Sequence, residues 1–190
     1  MSALQGCGRR VNLAYQPPSA EPITGQEPNI DLAVPFGALA DYYRAFNSRN
    51  IQLMELNWSD CGGVSMDSPL GGTHNSWTSI SRNYRKLFRS SNIVTLELQD
   101  YSIHEVGESF LAIGRERGCY LNDAIVLDLT IRSSRWFRQE HGRWRQCHYH
   151  GSIDDPKLLA RLQGLLGVCA TGDQASGMHC RNEFSGDFLA

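Results

Sequence analysis

Apolar residues recur at intervals of three and four positions in the first half of the chain, which predicts three amphipathic helices. Their apolar stripes are Leu32, Phe36, Leu39, Tyr43 and Phe46; then Ile51, Met54 and Trp58; then Trp77, Ile80, Tyr84, Leu87 and Phe88. Pro35 is compatible with the first helix because it falls in the first turn. Thr73 or Asn75 is expected to cap the third helix, since their short polar side chains can accept the first free backbone N–H groups.

After residue 92 the period changes from about 3.6 to two, which is typical of β-strands. Val94, Leu96 and Leu98 alternate with polar residues, and Tyr101 and Ile103 continue in the opposite phase. This phase change predicts a β-bulge near Gln99-Asp100. Further strands are expected over residues 110–116, 125–139 and 144–150, with a hairpin turn at His141-Gly142. Because side chains alternate along a strand, Trp144, Gln146, His148 and His150 are expected to share one face of the last strand.

Helices followed by mostly antiparallel strands predict an α+β fold. We expect a conical barrel in which three N-terminal helices pack on a curved sheet of four to six strands. The predicted organisation is a flexible tail over residues 1–30, one domain over 31–153, a short helix over 154–167 and a second tail over 168–190. The tails are inferred from their Pro, Gly and polar content and from the absence of an apolar period.

Composition narrows the class of protein without indicating an activity. The chain has 190 residues, 41% of them hydrophobic, and a formal net charge of −2. This balance argues against a basic nucleic-acid binder, and no apolar run reaches the roughly 20 residues of a membrane span. Six cysteines without a CxxC spacing argue against a zinc ribbon. We expect a cytoplasmic protein with reduced thiols, while Arg9 and Arg10 in an N-terminal segment without acids leave an organelle transit peptide open.

Three stretches of the sequence resemble the nuclear transport factor 2-like superfamily. They cover residues 39–50, residues 64–72 and residues 134–152. The third stretch is the most specific, because its Trp-x-x-x-His-x-His-x-Ser ending resembles SnoaL-like proteins and the association domain of calcium/calmodulin-dependent protein kinase II. The resemblance covers about residues 31–153. It implies a conical α+β barrel with an apolar pocket, often dimeric through its sheet.

The resemblance to ketosteroid isomerase implies candidate catalytic residues. Tyr42 occupies a matching Tyr position, and Asp67 lies one residue from the position of the general base. Burial at the mouth of the cone is expected to raise the pKa of Asp67, as suits a base, and the Tyr42 hydroxyl could donate to a developing oxyanion. The position of that family's second oxyanion acid is occupied here by Ser134, which weakens the case for steroid isomerisation. His148 is the third candidate, as an acid or base near neutral pH.

We expect the ligand pocket to be lined by Trp58, Trp77, Arg132, Ser134 and His150. Arg132 and Arg135 fall on opposite faces of their strand, so only one of them can face the pocket. A metal held by His148 and His150 is an alternative, but no third ligand is evident in the spacing, and His74 is the one candidate within reach. The prediction is that there is no metal and no cofactor. For Tyr42, Asp67 and the histidines a purely structural role stays open.

Two hypotheses follow from the sequence. In the first, a SnoaL-like pocket binds a small organic molecule and performs isomerisation, cyclisation, dehydration or hydrolysis by acid/base chemistry. In the second, the domain is non-catalytic and binds a ligand or builds an oligomer. In both cases the expected partners are a small molecule and a second copy of the chain, with no nucleic acid and no membrane. The first hypothesis requires Tyr42, Asp67 and His148 to converge on one cavity.

Overall fold

A computed structural model describes residues 13–19 and 21–167 of the chain. Its helices are α1 (Pro35–Asn47), α2 (Ile51–Asn57), α3 (Trp77–Arg89) and α4 (Pro156–Leu166). Its strands are β1 (Leu13–Ser19), β2 (Ser65–Asp67), β3 (Thr73–His74), β4 (Ile93–Val106), β5 (Ser109–Leu121), β6 (Val126–Glu140) and β7 (Arg143–Ser152). No helix in these residues is both long and apolar enough to span a membrane.

The strands form one sheet in the order β1-β4-β5-β6-β7-β2-β3. All neighbours pair antiparallel except β2 and β7, which run parallel. The α+β class and the three N-terminal helices are therefore confirmed. The sheet has seven strands, one more than the predicted maximum, and it stays open between β1 and β3 rather than closing into a barrel.

The helices cover one face of this sheet, which we call the inner face. On β6 it carries Leu127, Leu129, Ile131 and Phe137, which are all at most 8% exposed. The opposite side is the outer face. Helix α1 buries Leu39, Tyr43 and Phe46 against the inner face as the apolar period predicts, whereas Phe36 is 40% exposed.

Side-chain caps define where α2 and α3 begin. Asn50 accepts hydrogen bonds from the backbone of Gln52 and Leu53 at the start of α2. Ser76 accepts one from the backbone of Ser79 at the start of α3. The expected cap at Thr73 or Asn75 is wrong, because β3 takes Thr73 into the sheet and the helix begins after Ser76.

The predicted β-bulge in β4 is confirmed. The pairing of β4 with β5 shifts register between Gln99 and Ser102, and Asp100 adopts a φ of 48°. Gly114 lies opposite the bulge, where a Cβ atom would come within 2.7 Å of the Tyr101 Cβ. A glycine is required there because the bulged strand approaches the β5 backbone closely.

The last hairpin contains a second bulge that the sequence pattern did not reveal. The turn itself is as predicted, with a φ of 52° at His141 and 78° at Gly142, the conformation that tight hairpins favour. Along β7, however, Gln146 pairs with Phe137 and His148 pairs with Trp136, so Cys147 is an extra residue. The expectation that Trp144 and Gln146 share a face with His148 and His150 is therefore wrong, because the bulge reverses the side-chain phase.

Part of the expected N-terminal tail belongs to the fold. Residues 13–19 form the edge strand β1 beside β4. Ile23 is fully buried and exchanges two backbone hydrogen bonds of 2.9 Å with Leu98. Arg44 of α1 donates to the carbonyl of Glu27 at 2.8 Å, and Asn47 donates to that of Thr24 at 2.9 Å. The prediction of a tail is wrong for these residues. Backbone pairing and hydrogen bonds from polar side chains hold them in place, and such interactions produce no apolar period in the sequence. Residues 1–12 and 168–190 lie outside the described residues.

Helix α4 lies within residues 154–167, where a helix was expected. Asp155 caps it by accepting from the backbone of Lys157, Pro156 occupies the first turn, and Gly167 ends it with a φ of 61°. Leu162 is 3% exposed and packs onto the core. The helix therefore closes one end of the space between the other helices and the sheet.

Candidate functional site

Each side of the sheet has a cavity. The larger one, of about 610 Å³, lies on the inner face, and the smaller one, of about 370 Å³, lies on the outer face. The walls of the inner cavity come from α1, α3, α4, the loop after β2 and the inner faces of β4, β6 and β7. Representative apolar wall residues are Phe46, Leu96, Leu129, Ile131, Leu162 and Leu165. A volume of this size suits a small organic molecule, and apolar walls with few polar groups are the usual form of such sites.

Two tyrosine hydroxyls meet at the cavity wall. The hydroxyl oxygens of Tyr42 and Tyr84 lie 3.3 Å apart, and both residues are at most 5% exposed. Burial is the main reason that the pKa of each hydroxyl is raised, so both stay protonated at neutral pH. When one hydroxyl donates to the other, the second keeps a free proton, which makes the pair a hydrogen-bond donor for an oxygen atom in the cavity.

A buried ion pair lies behind this wall. Arg135 of β6 and Glu116 of β5 are 1% and 0% exposed and are joined by a short hydrogen bond from Arg135 Nη2. Glu116 also accepts hydrogen bonds of 2.8 Å from the hydroxyls of Tyr43 and Tyr149. Arg135 donates from Nη1 to Gln146 at 2.7 Å. The carboxylate is therefore saturated by one cation and two hydroxyls, as a buried charge must be to remain in the core.

Arg135 also fixes the tyrosine rings that face the cavity. Its guanidinium carbon lies 3.6 Å from the centre of the Tyr42 ring and 4.2 Å from that of the Tyr149 ring. Such cation–π contacts hold the rings in place. The positive charge partly opposes the effect of burial on the pKa of the Tyr42 hydroxyl. The ion pair thus supports the cavity wall without being part of its surface.

One imidazole belongs to the cavity. His74 of β3 lines it together with Asn83 of α3, whose amide nitrogen lies 3.0 Å from His74 Nε2. The side chains of His148 and His150 point to the outer face, so His74 does not join them in a shared metal site. Histidine is the residue type most often used for proton transfer, which makes His74 a candidate proton-transfer group in the cavity wall.

The three predicted catalytic residues do not converge. Tyr42 lines the cavity on the inner face. Asp67 and His148 lie on the outer face, where the hydroxyl of Ser65 is 2.8 Å from His148 Nδ1 and Asp67 Oδ2 is 3.6 Å from His150 Nδ1. Because the sheet separates them, these side chains cannot act together on one molecule. The bulge at Cys147 is the physical reason, since it turns both histidines outward.

Asp67 also has the wrong electrostatic environment for the expected role. Its side chain is 38% exposed, and Oδ1 accepts a hydrogen bond of 2.7 Å from the Thr73 hydroxyl. That hydrogen bond is the largest influence on its pKa, which is lowered rather than raised. The carboxylate therefore joins β2 to β3 and β7 as a structural anion.

The five residues expected to line the pocket do not line the inner cavity. Trp58 is 1% exposed in the core and packs 6.4 Å from Trp77, centre to centre. The Trp77 indole donates to Glu55 at 2.9 Å. Arg132, Ser134 and His150 line the smaller outer groove of about 370 Å³.

The outer groove is shallow and partly neutralised. Arg132 forms an ion pair of 2.7 Å with Asp154, in which both side chains are more than half exposed. Such an exposed pair contributes little to stability or binding. The groove therefore has fewer features of a binding site than the inner cavity.

Several residues of the inner site were missed in the sequence. Glu116, Arg135 and Tyr149 occupy inward positions in their strands, and only Arg135 was considered, as one of two opposed arginines. A detectable signal existed: Glu116 and Arg135 fall in phase with buried apolar residues on β5 and β6. Charged residues in an apolar phase indicate a buried pair, because an unpaired charge would be too costly there.

The comparisons with known proteins agree with this architecture. A family model described as a SnoaL-like domain matches residues 37–156. The chain belongs to the SnoaL-like family. The predicted resemblance to the nuclear transport factor 2-like superfamily is thereby confirmed. No curated protein matched the chain.

Solved structures share the fold at low sequence identity. A putative dehydratase of the NTF2-like family from Streptomyces avermitilis is 17% identical, with a TM-score of 0.58 over 66% of this chain and 97% of its own. A putative calcium/calmodulin-dependent protein kinase type II association domain from Thiobacillus denitrificans is 20% identical, with a TM-score of 0.57 over 64% and 96%. A ketosteroid isomerase-like protein from Erwinia carotovora atroseptica is 18% identical, with a TM-score of 0.55 over 67% and 99%. These likenesses show the fold alone.

Proposed function

We propose that the inner cavity binds a small, mostly apolar organic molecule that carries a carbonyl or hydroxyl oxygen. The observation that supports this most directly is the paired Tyr42 and Tyr84 hydroxyls in the wall of a cavity of about 610 Å³. Apolar walls favour the body of the ligand, and the free hydroxyl proton orients its oxygen atom. The family membership supports a pocket protein of this kind.

Any acid/base chemistry in this cavity is proposed to use groups other than Asp67 and His148. The Tyr42–Tyr84 pair supplies a proton donor for an oxygen, and His74 supplies an imidazole next to Asn83. Isomerisation or dehydration needs such a donor together with a proton acceptor on the same molecule. Binding comes first in this proposal, and turnover is a second property to be measured on any ligand that binds.

A matched pair of naphthalenes tests the proposed recognition. The two probes are 2-acetylnaphthalene, which has a carbonyl acceptor, and 2-isopropylnaphthalene, which has the same shape without it. We expect the ketone to bind more tightly by about 2- to 10-fold, because one neutral hydrogen bond contributes about 0.5–1.5 kcal/mol. Titration by intrinsic naphthalene fluorescence measures both dissociation constants.

Variants connect this preference to the tyrosine pair. The double variant Tyr42→Phe/Tyr84→Phe should bind both probes equally, while each single variant should keep part of the preference because one hydroxyl remains. Tyr101→Phe is the control, since Tyr101 is 6% exposed but does not line the cavity. A double variant that still prefers the ketone would contradict the assignment.

Two copies of the chain are proposed to associate through the outer face. Leu111 of β5 and Trp136 of β6 are paired neighbours, and Ile113 follows Leu111 on the same face. They are 36%, 41% and 45% exposed and form an apolar strip on the outer face. Exposed apolar patches of this kind mark protein interfaces. This association leaves the inner cavity free.

A further inference from the structure

Three side chains with different metal-binding atoms meet on the surface. Asp60 and Cys61 lie in the loop between α2 and β2, and His141 lies in the turn between β6 and β7. One ligand atom of each lies within 4.8 Å of the other two, and all three residues are exposed. None of them lines the inner cavity. The group therefore requires an explanation separate from the proposed ligand site.

A buried carboxylate oxygen lies beside this cluster. Glu140 is 7% exposed, and its Oε1 accepts a hydrogen bond of 2.5 Å from the Ser59 hydroxyl as well as one from Arg138. Its Oε2 accepts no hydrogen bond within the described residues, although Arg145 Nε lies 3.9 Å away. Arg138 and Arg145 already supply positive charge to this carboxylate, but Oε2 is a buried oxygen that keeps its capacity to accept a further partner beside the cluster.

The carboxylates of Asp60 and Glu140 contribute a negative electrostatic potential at Cys61. Its thiol donates to Asp60 Oδ1 at 3.5 Å. Glu140 is the second carboxylate close to the sulfur. The second oxygen of Asp60 lies 3.8 Å from Arg145 Nη2, so Oδ1 is the oxygen directed at the cluster. A cation placed among these groups would be stabilised by the same potential.

We propose that Asp60, Cys61 and His141 form a binding site for a divalent zinc-class cation. A thiolate, an imidazole and a carboxylate are the ligand types that zinc prefers, and together they leave a fourth position for water or for Glu140. Tetrahedral coordination brings such ligand atoms to roughly 3.5 Å from one another, so the side chains need to close by about 1 Å. Exposed side chains on two loops have that freedom. On binding, a sulfur–metal bond forms and the thiol proton is released to solvent.

Such a site would join two loops that are far apart in sequence. Gly62 and Gly63 follow Cys61 with φ values of 81° and 71°, and a Cβ on either would meet nothing within 4 Å. The loop between α2 and β2 is thus loosely packed at that point, and a metal bound there fixes it to the last hairpin. No metal-ligand spacing is visible in the sequence, because only the fold brings Cys61 and His141 together.

Cobalt absorption tests the site directly. Co²⁺ substitutes for Zn²⁺, and a thiolate ligand produces a near-ultraviolet charge-transfer band that nitrogen and oxygen ligands do not. We expect the full chain, kept reduced with a phosphine, to bind one Co²⁺ with this band and to release it when Zn²⁺ is added. Cys61→Ser should remove the band. His141→Asn should weaken binding at least about tenfold, since even changes behind a ligand commonly cost 10–100-fold.

The controls separate this site from the other thiols. Cys119→Ser should leave the band unchanged, because Cys119 lies on β5 and contacts Thr95 rather than the cluster. His141→Asn keeps a residue that tolerates the φ of 52° at the turn, so the hairpin should fold as before. A wild-type chain without the band, or a band that persists in Cys61→Ser, would overturn the proposal. Melting curves with and without Zn²⁺ provide a second readout, with a higher melting temperature expected only where Cys61 is present.

Discussion

The buried pair of Arg135 and Glu116 allows the sharpest stability prediction. Replacing Glu116 with Gln keeps the shape but turns one of the two oxygens that accept from Tyr43 and Tyr149 into an NH2 donor, and it leaves the guanidinium without an anion. Both side chains are at most 1% exposed, so solvent cannot replace the lost charge. Breaking a buried pair by removing one partner costs about 3–5 kcal/mol, and we expect a loss of that size in the free energy of unfolding.

A second substitution tests the cause of that loss. Adding Arg135→Met to Glu116→Gln removes the stranded cation, so the double variant should be more stable than Glu116→Gln alone. The coupling between the two changes should be at least about 2 kcal/mol. Urea unfolding, followed by tryptophan fluorescence, measures Glu116→Gln, Arg135→Met, the double variant and the wild type on one scale.

An exposed ion pair serves as the comparison. Arg132 and Asp154 approach to 2.7 Å, but both side chains are more than half exposed. Asp154→Asn should therefore cost less than about 1 kcal/mol. The reasoning is refuted if Glu116→Gln costs no more than Asp154→Asn, or if the Glu116 and Arg135 changes are additive.

Three further predictions concern the outer face and the ends of the fold. Trp136→Asp should convert the proposed dimer to a monomer in sedimentation experiments, and a wild type that is already monomeric at micromolar concentration would contradict the interface. Ile23→Ala should cost about 2–5 kcal/mol because Ile23 is fully buried, whereas a change within 0.5 kcal/mol would indicate a mobile segment. Asp67→Asn should leave naphthalene binding unchanged and cost less than about 1 kcal/mol, given that the side chain is 38% exposed. Its lowered pKa means that the carboxylate stabilises the fold at neutral pH and loses this effect as the pH falls through that pKa, so the difference between variant and wild type should vanish in acid.

The two bulges show what the apolar pattern can predict. In β4, large apolar residues stand on both sides of Asp100, so the change of phase is visible in the sequence. In β7 the residues on either side of Cys147 are polar or aromatic and suit either face. The apolar pattern there is ambiguous. The prediction therefore placed His148 and His150 on the same face as Trp144 and Gln146, whereas the bulge puts them on the outer face.

The N-terminal segment shows a different limit. Residues 13–19 pair with an edge through their backbones, and Ile23 is a single buried apolar residue among polar neighbours. Neither arrangement produces a period in the sequence. Tyr42 lines the inner cavity, but it was indicated by the resemblance to ketosteroid isomerase and not by the apolar period of α1, which includes Tyr43 instead.

The position of a bound probe tests directly whether the inner cavity is the ligand site. In a methyl-labelled sample with bound 2-acetylnaphthalene, nuclear Overhauser contacts report which methyl groups lie near the ring. We expect contacts to Leu129 and Ile131, which line the inner cavity. Contacts to Leu111 and Ile113 of the outer face instead, or no contacts to any of these methyl groups at saturating probe, would contradict it.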